Sequence, residues 1–273
     1  MLLRAKMVAA VAASFIVPTS AFAGAIVPLD GANTLPRCDS CYVGPVDIGF
    51  NINFFGNNYS QLYVSNNGLI SFDRGFFYHS SYDSFYVISY LYKTAVISPF
   101  FGAVDSRYYG SPVDYGNLIY DSHQAFAVNW VDVNPKYGTT SGGTSASRNS
   151  FQVILVERSD VGTGDFDIVF NFDSIQWQNY EAFFGYTANG NSYGYTTHDY
   201  PHKYLNAELL DAKQLPYNSL NSDVAGRYVF EVRNGVVTNP LPLSVPEPET
   251  WAMLLAGLGL VTGVARRRAK MTG

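Results

Sequence analysis

The sequence predicts an all-β protein: an antiparallel β-sandwich-like domain with at most one short helix, preceded by an N-terminal signal peptide and followed by a short hydrophobic C-terminal helix. Three observations carry this prediction. Apolar and polar residues alternate strictly from Val46 to Phe54, the period of a half-buried strand. Short apolar runs recur along the chain, separated by Gly, Asn and Ser turn residues. Tyr, Phe and Trp (21, 19 and 3 residues) together outnumber the 22 acidic and 17 basic residues, and charged residues make up 14% of the chain. Ordinary soluble domains carry roughly 25% charge, but disorder requires few aromatics, so this composition describes a packed core.

The elements follow in order. Val46, Ile48, Phe50, Ile52 and Phe54 share one face of the first strand, which Phe55-Gly56-Asn57-Asn58 ends. Leu62–Val64 and Leu69–Phe72 flank Ser65-Asn66-Asn67-Gly68, and Asn-Gly between apolar runs is the strongest short hairpin signal. Ala95–Phe101 is an apolar run. Asn117–Tyr120 and Ala125–Val133 read as a hairpin around Asp121-Ser122-His123-Gln124. Phe151–Glu157 and Phe166–Phe172 pair across a turn-rich segment, and Ala182–Tyr186 and Arg227–Arg233 complete the set. Leu205–Leu215 has the one helical pattern, through Leu205, Leu209, Leu210 and Lys213. Asn134–Asn149, rich in Gly, Ser and Thr, reads as a long flexible loop. The organisation is a signal peptide over 1–23, a lead over 24–45, the β domain over 46–238, a Pro-rich linker over 239–248 and a tail signal over 246–270.

Both ends read as addresses. Arg4 and Lys6 precede the apolar run Met7–Val17, and Ala21-Phe22-Ala23 is a small-x-small cleavage site, so cleavage after Ala23 leaves Gly24 first. At the other end, Pro246-Glu247-Pro248 leads into an apolar stretch from Trp251 to Ala265, followed by Arg266, Arg267, Arg268 and Lys270. That stretch is shorter than the roughly 20 residues of a membrane-spanning helix. Basic flanks stay cytoplasmic, so the two ends place the body outside the inner membrane. This body, from Gly24 to Pro246, holds 11 basic and 20 acidic residues. No basic field is present for phosphates, and a nucleic-acid partner is not expected.

The three-part tail resembles the PEP-CTERM sorting signal. The resemblance implies an exosortase-type processing protease as a transient partner, a Gram-negative source that makes exopolysaccharide, and a precursor tethered to the inner membrane by its uncleaved tail. The body resembles the extracellular NIDO domain of nidogen-type proteins over roughly Val46 to Ala188. The resemblance rests on Phe54-Phe55-Gly56 with Leu62–Phe72, on Ile97–Arg107, and on the strand series from Ala125-Phe126-Ala127 to Phe184-Gly185-Tyr186. It implies a β-rich module of matrix and adhesion proteins and carries no catalytic residues over. The Cys-rich modules that usually follow in that family are missing here, and Phe72–Ala95 is Tyr- and Ser-rich where the family often has proline.

Few residues offer chemistry. Cys38-Asp-Ser-Cys41 lacks the βαβ setting of a redox motif and the second ligand pair of a zinc site, and is expected to form a local disulfide in an oxidising compartment. Asp105 and Arg107, two apart, are expected to pair with each other or with neighbours. Asp105 is also the one candidate carboxylate for a cation, far short of the 6–8 oxygens calcium takes, so no metal or other cofactor is expected. His198 and His202 are separated by Pro201, which spoils a helical metal pair; His79 and His123 stand alone. Asp165 and Asp167 read as polar decoration of an edge strand. The feature most open to function is Phe76–Tyr92, where Phe76, Phe77, Tyr78, Tyr82, Phe85, Tyr86, Tyr90 and Tyr92 are interleaved with Ser. Such Tyr-Ser surfaces bind with large contact area at low entropy cost; alternatively the rings pack a sheet or cover a core end.

The expectation is a non-enzymatic cell-surface or biofilm-matrix protein that binds exopolysaccharide or a matrix or surface protein. The alternatives are an envelope enzyme acting on exopolysaccharide through Asp105, Asp132 or Asp165, and a purely structural surface protein.

Overall fold

The computed structural model describes residues 24–76, 93–136, 140–141, 147–179, 182–188, 191–196, 205–209 and 211–239. The expected signal peptide with Ala23, the segment 77–92, the histidines 79, 198 and 202, and the tail from 240 onward, with Pro246, Glu247, Pro248 and Arg266–Arg268, lie outside the described residues.

The strands are β1 (Asn33–Thr34), β2 (Tyr42–Phe54), β3 (Asn57–Ser65), β4 (Leu69–Ser71), β5 (Val96–Phe101), β6 (Asp114–Tyr120), β7 (His123–Val133), β8 (Thr140–Ser141), β9 (Asn149–Glu157), β10 (Phe166–Ile175), β11 (Gln178–Asn179), β12 (Phe183–Ala188), β13 (Asn191–Thr196), β14 (Leu205–Leu209), β15 (Arg227–Arg233) and β16 (Val236–Val237). They build two seven-stranded sheets and one two-stranded ribbon. Sheet A runs β1-β6-β7-β9-β10-β15-β16, sheet B runs β14-β13-β12-β5-β4-β3-β2, and β11 pairs with β8. All neighbours are antiparallel except β13 and β14, which run parallel.

The two sheets pack face to face through alternate residues of each strand. Phe126, Val128 and Trp130 of β7, Phe151, Val153 and Leu155 of β9, and Phe166, Ile168 and Phe170 of β10 meet Ile52 and Phe54 of β2, Leu62 and Val64 of β3, and Phe184 and Tyr186 of β12 in one buried core. Rings cross between the sheets: Phe54 meets Phe166 with centroids 5.9 Å apart, and Phe170 meets Phe184 at 5.2 Å. Each such side chain contributes about 1.5–3 kcal/mol on full burial, which explains the aromatic excess. The buried indoles find partners, since Trp130 Nε1 donates to the Ser65 carbonyl at 3.0 Å and Trp177 Nε1 to that of Val133 at 3.1 Å.

Ala125–Val133 and Phe151–Glu157 read as continuous apolar runs because both faces of sheet A are covered. The outward residues Ala125, Ala127, Ile154, Val156 and Val169 form a second apolar cluster, against which Val27 and Leu29 of the N-terminal lead pack. Beside it a polar ladder crosses four strands. Gln152 Nε2 donates to Asn129 Oδ1 at 2.6 Å, Asn171 Nδ2 to Gln152 Oε1 at 2.7 Å, and Arg227 Nε to Asn171 Oδ1 at 3.0 Å. The register makes this possible: Asn129 stands opposite Gln152, Gln152 opposite Asn171, and Asn171 opposite Arg227.

The hairpin expected at Ser65-Asn66-Asn67-Gly68 is present: β3 and β4 pair with Ser65 opposite Leu69, and Gly68 is left-handed at φ 82°. Tight turns with positive φ at both residues fall at Phe55-Gly56, Asp121-Ser122 and Asn234-Gly235. Three expectations are corrected. Leu205–Leu215 is not a helix: Leu205–Leu209 pairs with β13, and Ala212–Tyr217 is a 3-10 turn started by Asp211, whose side chain accepts from the Lys213 amide. A segment this short has little helical stability of its own, so strand pairing decides, and Pro216 cannot sit inside an α-helix. Asp165 and Asp167 are not edge decoration, because β10 lies between β9 and β15 and both carboxylates are buried. Finally, Asn134–Asn149 is not wholly loop, since Thr140–Ser141 pairs with Gln178–Asn179.

Candidate functional site

One end of the sandwich gathers several of the residues singled out in the sequence. Cys38 and Cys41 are joined by a disulfide. The loop they close docks on two other segments by backbone hydrogen bonds, the Ser106 amide donating to the Cys38 carbonyl at 3.0 Å and the Asn66 amide to that of Cys41 at 3.0 Å. Two carboxamides fasten the joint from inside. Asn66 Oδ1 accepts from the Cys41 amide at 2.8 Å while its Nδ2 donates to the Val104 carbonyl at 2.9 Å. Asn67 Oδ1 accepts from the Val104 amide at 2.9 Å while its Nδ2 donates to Ser40 Oγ at 3.2 Å. Both side chains are buried, and a buried amide needs its partners. The asparagines that the sequence marks as turn formers therefore act as bridges between the cysteine loop and the chain after β5. Gly68 permits the close approach, since an added Cβ would stand 1.8 Å from the Phe100 carbonyl oxygen.

Beyond this joint the chain makes a presented loop, Ser106-Arg107-Tyr108-Tyr109-Gly110-Ser111. Arg107 grips Asp105 with two parallel bonds, Nε to Oδ1 at 3.0 Å and Nη2 to Oδ2 at 2.7 Å, and its Nη2 also reaches Asp39 Oδ2 at 3.0 Å. Lys136 Nζ meets the same Asp39 oxygen at 3.1 Å. Partial burial works against ionisation of Asp105, but the side-chain and backbone hydrogen bonds from Arg107 and the charges of Arg107 and Lys136 outweigh it and hold the carboxyl below its ordinary range. The same pairing raises the Arg107 guanidinium. Arg37 Nη1 ties the loop at both ends, donating to the Ser106 carbonyl at 2.8 Å and the Gly110 carbonyl at 3.0 Å. On this frame Tyr108 is 75% and Tyr109 57% exposed, and the Arg107 guanidinium lies 5.4 Å from the Tyr108 ring centroid. Exposed rings on a tied loop make a contact surface that has little entropy left to lose on binding.

The expected Asp105–Arg107 pair is thus present, with Asp39 added. Both Asp105 oxygens are engaged by Arg107, and a cation there would have to displace it. The three carboxylates of the enzyme reading sit in different surroundings. Asp165 is buried and accepts from the Asn234 amide at 2.7 Å, whereas Asp132 is exposed and pairs with Arg148 at 3.4 Å. Asp167 is bound by Arg158 at 2.8 Å and Arg233 at 2.7 Å. His123 lies 3.9 Å from Asp160. Among the described residues, no group of three or more His, Cys, Asp or Glu is placed to hold a metal ion.

Of the aromatic segment Phe76–Tyr92, Phe76 alone is described, and it is buried with Leu69, Val96, Phe101 and Phe183 on the outer face of sheet B. Phe77, Tyr78, Tyr82, Phe85, Tyr86, Tyr90 and Tyr92 lie outside the described residues. Asp73 and Lys93, which bracket the segment in sequence, line a cleft of about 260 Å³ with Phe55, Asn57 and Tyr59. Burial and the nearby Asp73 charge push the Tyr59 hydroxyl up to about 12, so it remains a donor. The sequence reading missed Tyr108 and Tyr109; the signal was an aromatic pair in a Gly-Ser-Pro context with no strand alternation.

The described residues thus form a β-sandwich with a tied loop at one end that exposes Tyr108 and Tyr109. Residues 19–204 match the family model described as NIDO related, and this chain belongs to that family. The match reaches beyond the segment from Val46 to Ala188 that carried the resemblance. Residues 244–269 match the PEP-CTERM protein-sorting motif. The protein is therefore an exported one, processed by an exosortase-type protease and destined for the cell surface or the extracellular space. No solved structure matches the chain.

Proposed function

We propose that this protein is a non-enzymatic interaction module of the cell surface or biofilm matrix. Its precursor is held at the inner membrane by the tail and is processed there. The mature domain then binds exopolysaccharide or a matrix or surface protein through the loop that carries Tyr108 and Tyr109. The observation that carries this reading is the exposure of both rings on a backbone held at Ser106 and Gly110 by Arg37 and at Arg107 by Asp105 and Asp39. Rigid presentation has no role in packing this chain's own core, and it suits recognition. The sorting motif supports the location and the NIDO-related domain is compatible with the role.

The test is co-sedimentation of the folded, processed protein with exopolysaccharide purified from the host, and separately with matrix protein extract. Retention by one of them is expected. A folded sample that stays in the supernatant with both, and that hydrolyses the polysaccharide, would replace this reading with the enzyme alternative.

A further inference from the structure

The N-terminal lead is a strap laid across the outer face of sheet A. Four of its backbone groups are met by side chains of the sheet. Arg227 Nη2 donates to the Ala25 carbonyl at 3.3 Å, and the Ile26 amide donates to Asp173 Oδ1 at 3.2 Å. The Val27 amide donates to Gln152 Oε1 at 3.1 Å, and Gln152 Nε2 donates to the Val27 carbonyl at 2.7 Å. Val27 and Leu29 cover the outer apolar cluster, and Ala25 is only 3% exposed. The polar ladder of sheet A is thus a receptor for this strap.

The first residue of the strap is Gly24, which is exposed but stands hard against Asp173. An added Cβ would lie 2.5 Å from Asp173 Oδ2 and 2.8 Å from Oδ1. The Gly24 nitrogen is bonded to the same Cα and lies roughly 2.5 Å from that point, so it is within about 5 Å of the carboxylate. We infer that Asp173 is the receptor for the α-ammonium that leader removal creates on Gly24, so that maturation itself fastens the strap. This rests on the reading of Ala23 as the cleavage position. In the uncleaved chain that nitrogen is a neutral amide with one proton to donate. Hydrolysis of the Ala23–Gly24 bond adds water across it, leaves a carboxylate on the leader and frees an amine that takes up a proton at neutral pH. The new group has three donors and a full positive charge beside a carboxylate, a pairing stronger than the neutral one it replaces. The order of events follows from burial: a peptidase needs the residues after the scissile bond free, and Ala25 is accessible only before the strap docks. The strap is therefore cut while undocked, and the new ammonium then biases it toward the docked position.

The experiment uses the exported protein, whose N-terminus is first read by mass spectrometry. Four forms are compared: the unaltered chain, one with a serine inserted between Ala23 and Gly24, Asp173→Asn, and the two changes combined. Asp173→Asn keeps an oxygen for the Ile26 amide and removes only the charge. Amide exchange at Ile26 and Val27 is expected to rise about two- to fivefold in either single form, the range of an exposed ion pair, and no further in the combined form, with Ile154 unchanged throughout. An insertion that leaves exchange unchanged, or whose effect is the same with and without Asp173→Asn, overturns the pairing while the cleavage reading stands. A mature N-terminus other than Gly24 overturns both.

Discussion

Arg107 and Asp105, two residues apart, face each other in a two-bond grip whose shorter contact is 2.7 Å. Asp39 of the cysteine loop joins the same guanidinium at 3.0 Å. The pair is partly exposed, so its importance lies in where it holds the loop rather than in global stability.

Asp105→Asn should speed amide exchange across Ser106–Gly110 and leave the strands of sheet A unchanged. The pH dependence has a definite sign. The folded carboxyl titrates below its ordinary value of 3.8, so its contribution is complete above that value and is lost as pH falls through the lower, folded one. The loop's protection factors, followed from pH 6 downward, should therefore fall only in the acid range, and Asp105→Asn should abolish that fall.

Gly68→Ala should be severe. The residue sits at φ 82° and its new methyl would meet the Phe100 backbone carbonyl at 1.8 Å, a partner that cannot swing away. A loss of about 3 kcal/mol or more is expected in urea unfolding. Gly56→Ala is the control: it also has positive φ but nothing within 4 Å, and should cost about 1 kcal/mol.

Gln152→Leu should leave Asn129, Asn171 and the Val27 backbone short of partners in a buried setting. Denaturant unfolding should show a loss of about 2–4 kcal/mol, and protease should cut the chain between Gly24 and Leu29 first.

Reduction of the Cys38–Cys41 disulfide should matter locally. The ring it closes is small, so the entropic effect is no more than about 2 kcal/mol. Mild reductant should lower the melting temperature slightly and loosen Asn66 and Ser106, the residues the loop leans on.

Much of the fold was legible because alternation and turn chemistry act locally. Val46–Phe54 shows its face in its own spelling, and the pairings of Asn117–Tyr120 with Ala125–Val133 and of Phe151–Glu157 with Phe166–Phe172 follow from the turns between them. What escaped depends on distant partners. Leu205–Leu209 becomes a strand only because β13 offers an edge. Asn129, Gln152, Asn171 and Arg227 look like scattered polar residues until the register lines them up. The strap Ala25–Leu29 has no period of its own. At the candidate site, the spacing of Asp105 and Arg107 foretold their contact. The density of rings in Phe76–Tyr92 drew attention away from the sparser pair Tyr108-Tyr109, whose exposure is set by anchors far away in sequence, at Arg37 and Asp39.

The role of the tyrosine loop is tested by a binding titration of the folded, processed protein against host exopolysaccharide and matrix protein extract, run beside the Tyr108→Ser/Tyr109→Ser double variant. The rings are exposed, so the variant should keep the melting temperature of the unaltered chain. Retention of the variant should be at least tenfold weaker on whichever material holds the unaltered protein. Equal retention of the two forms, with both folded, would contradict that role.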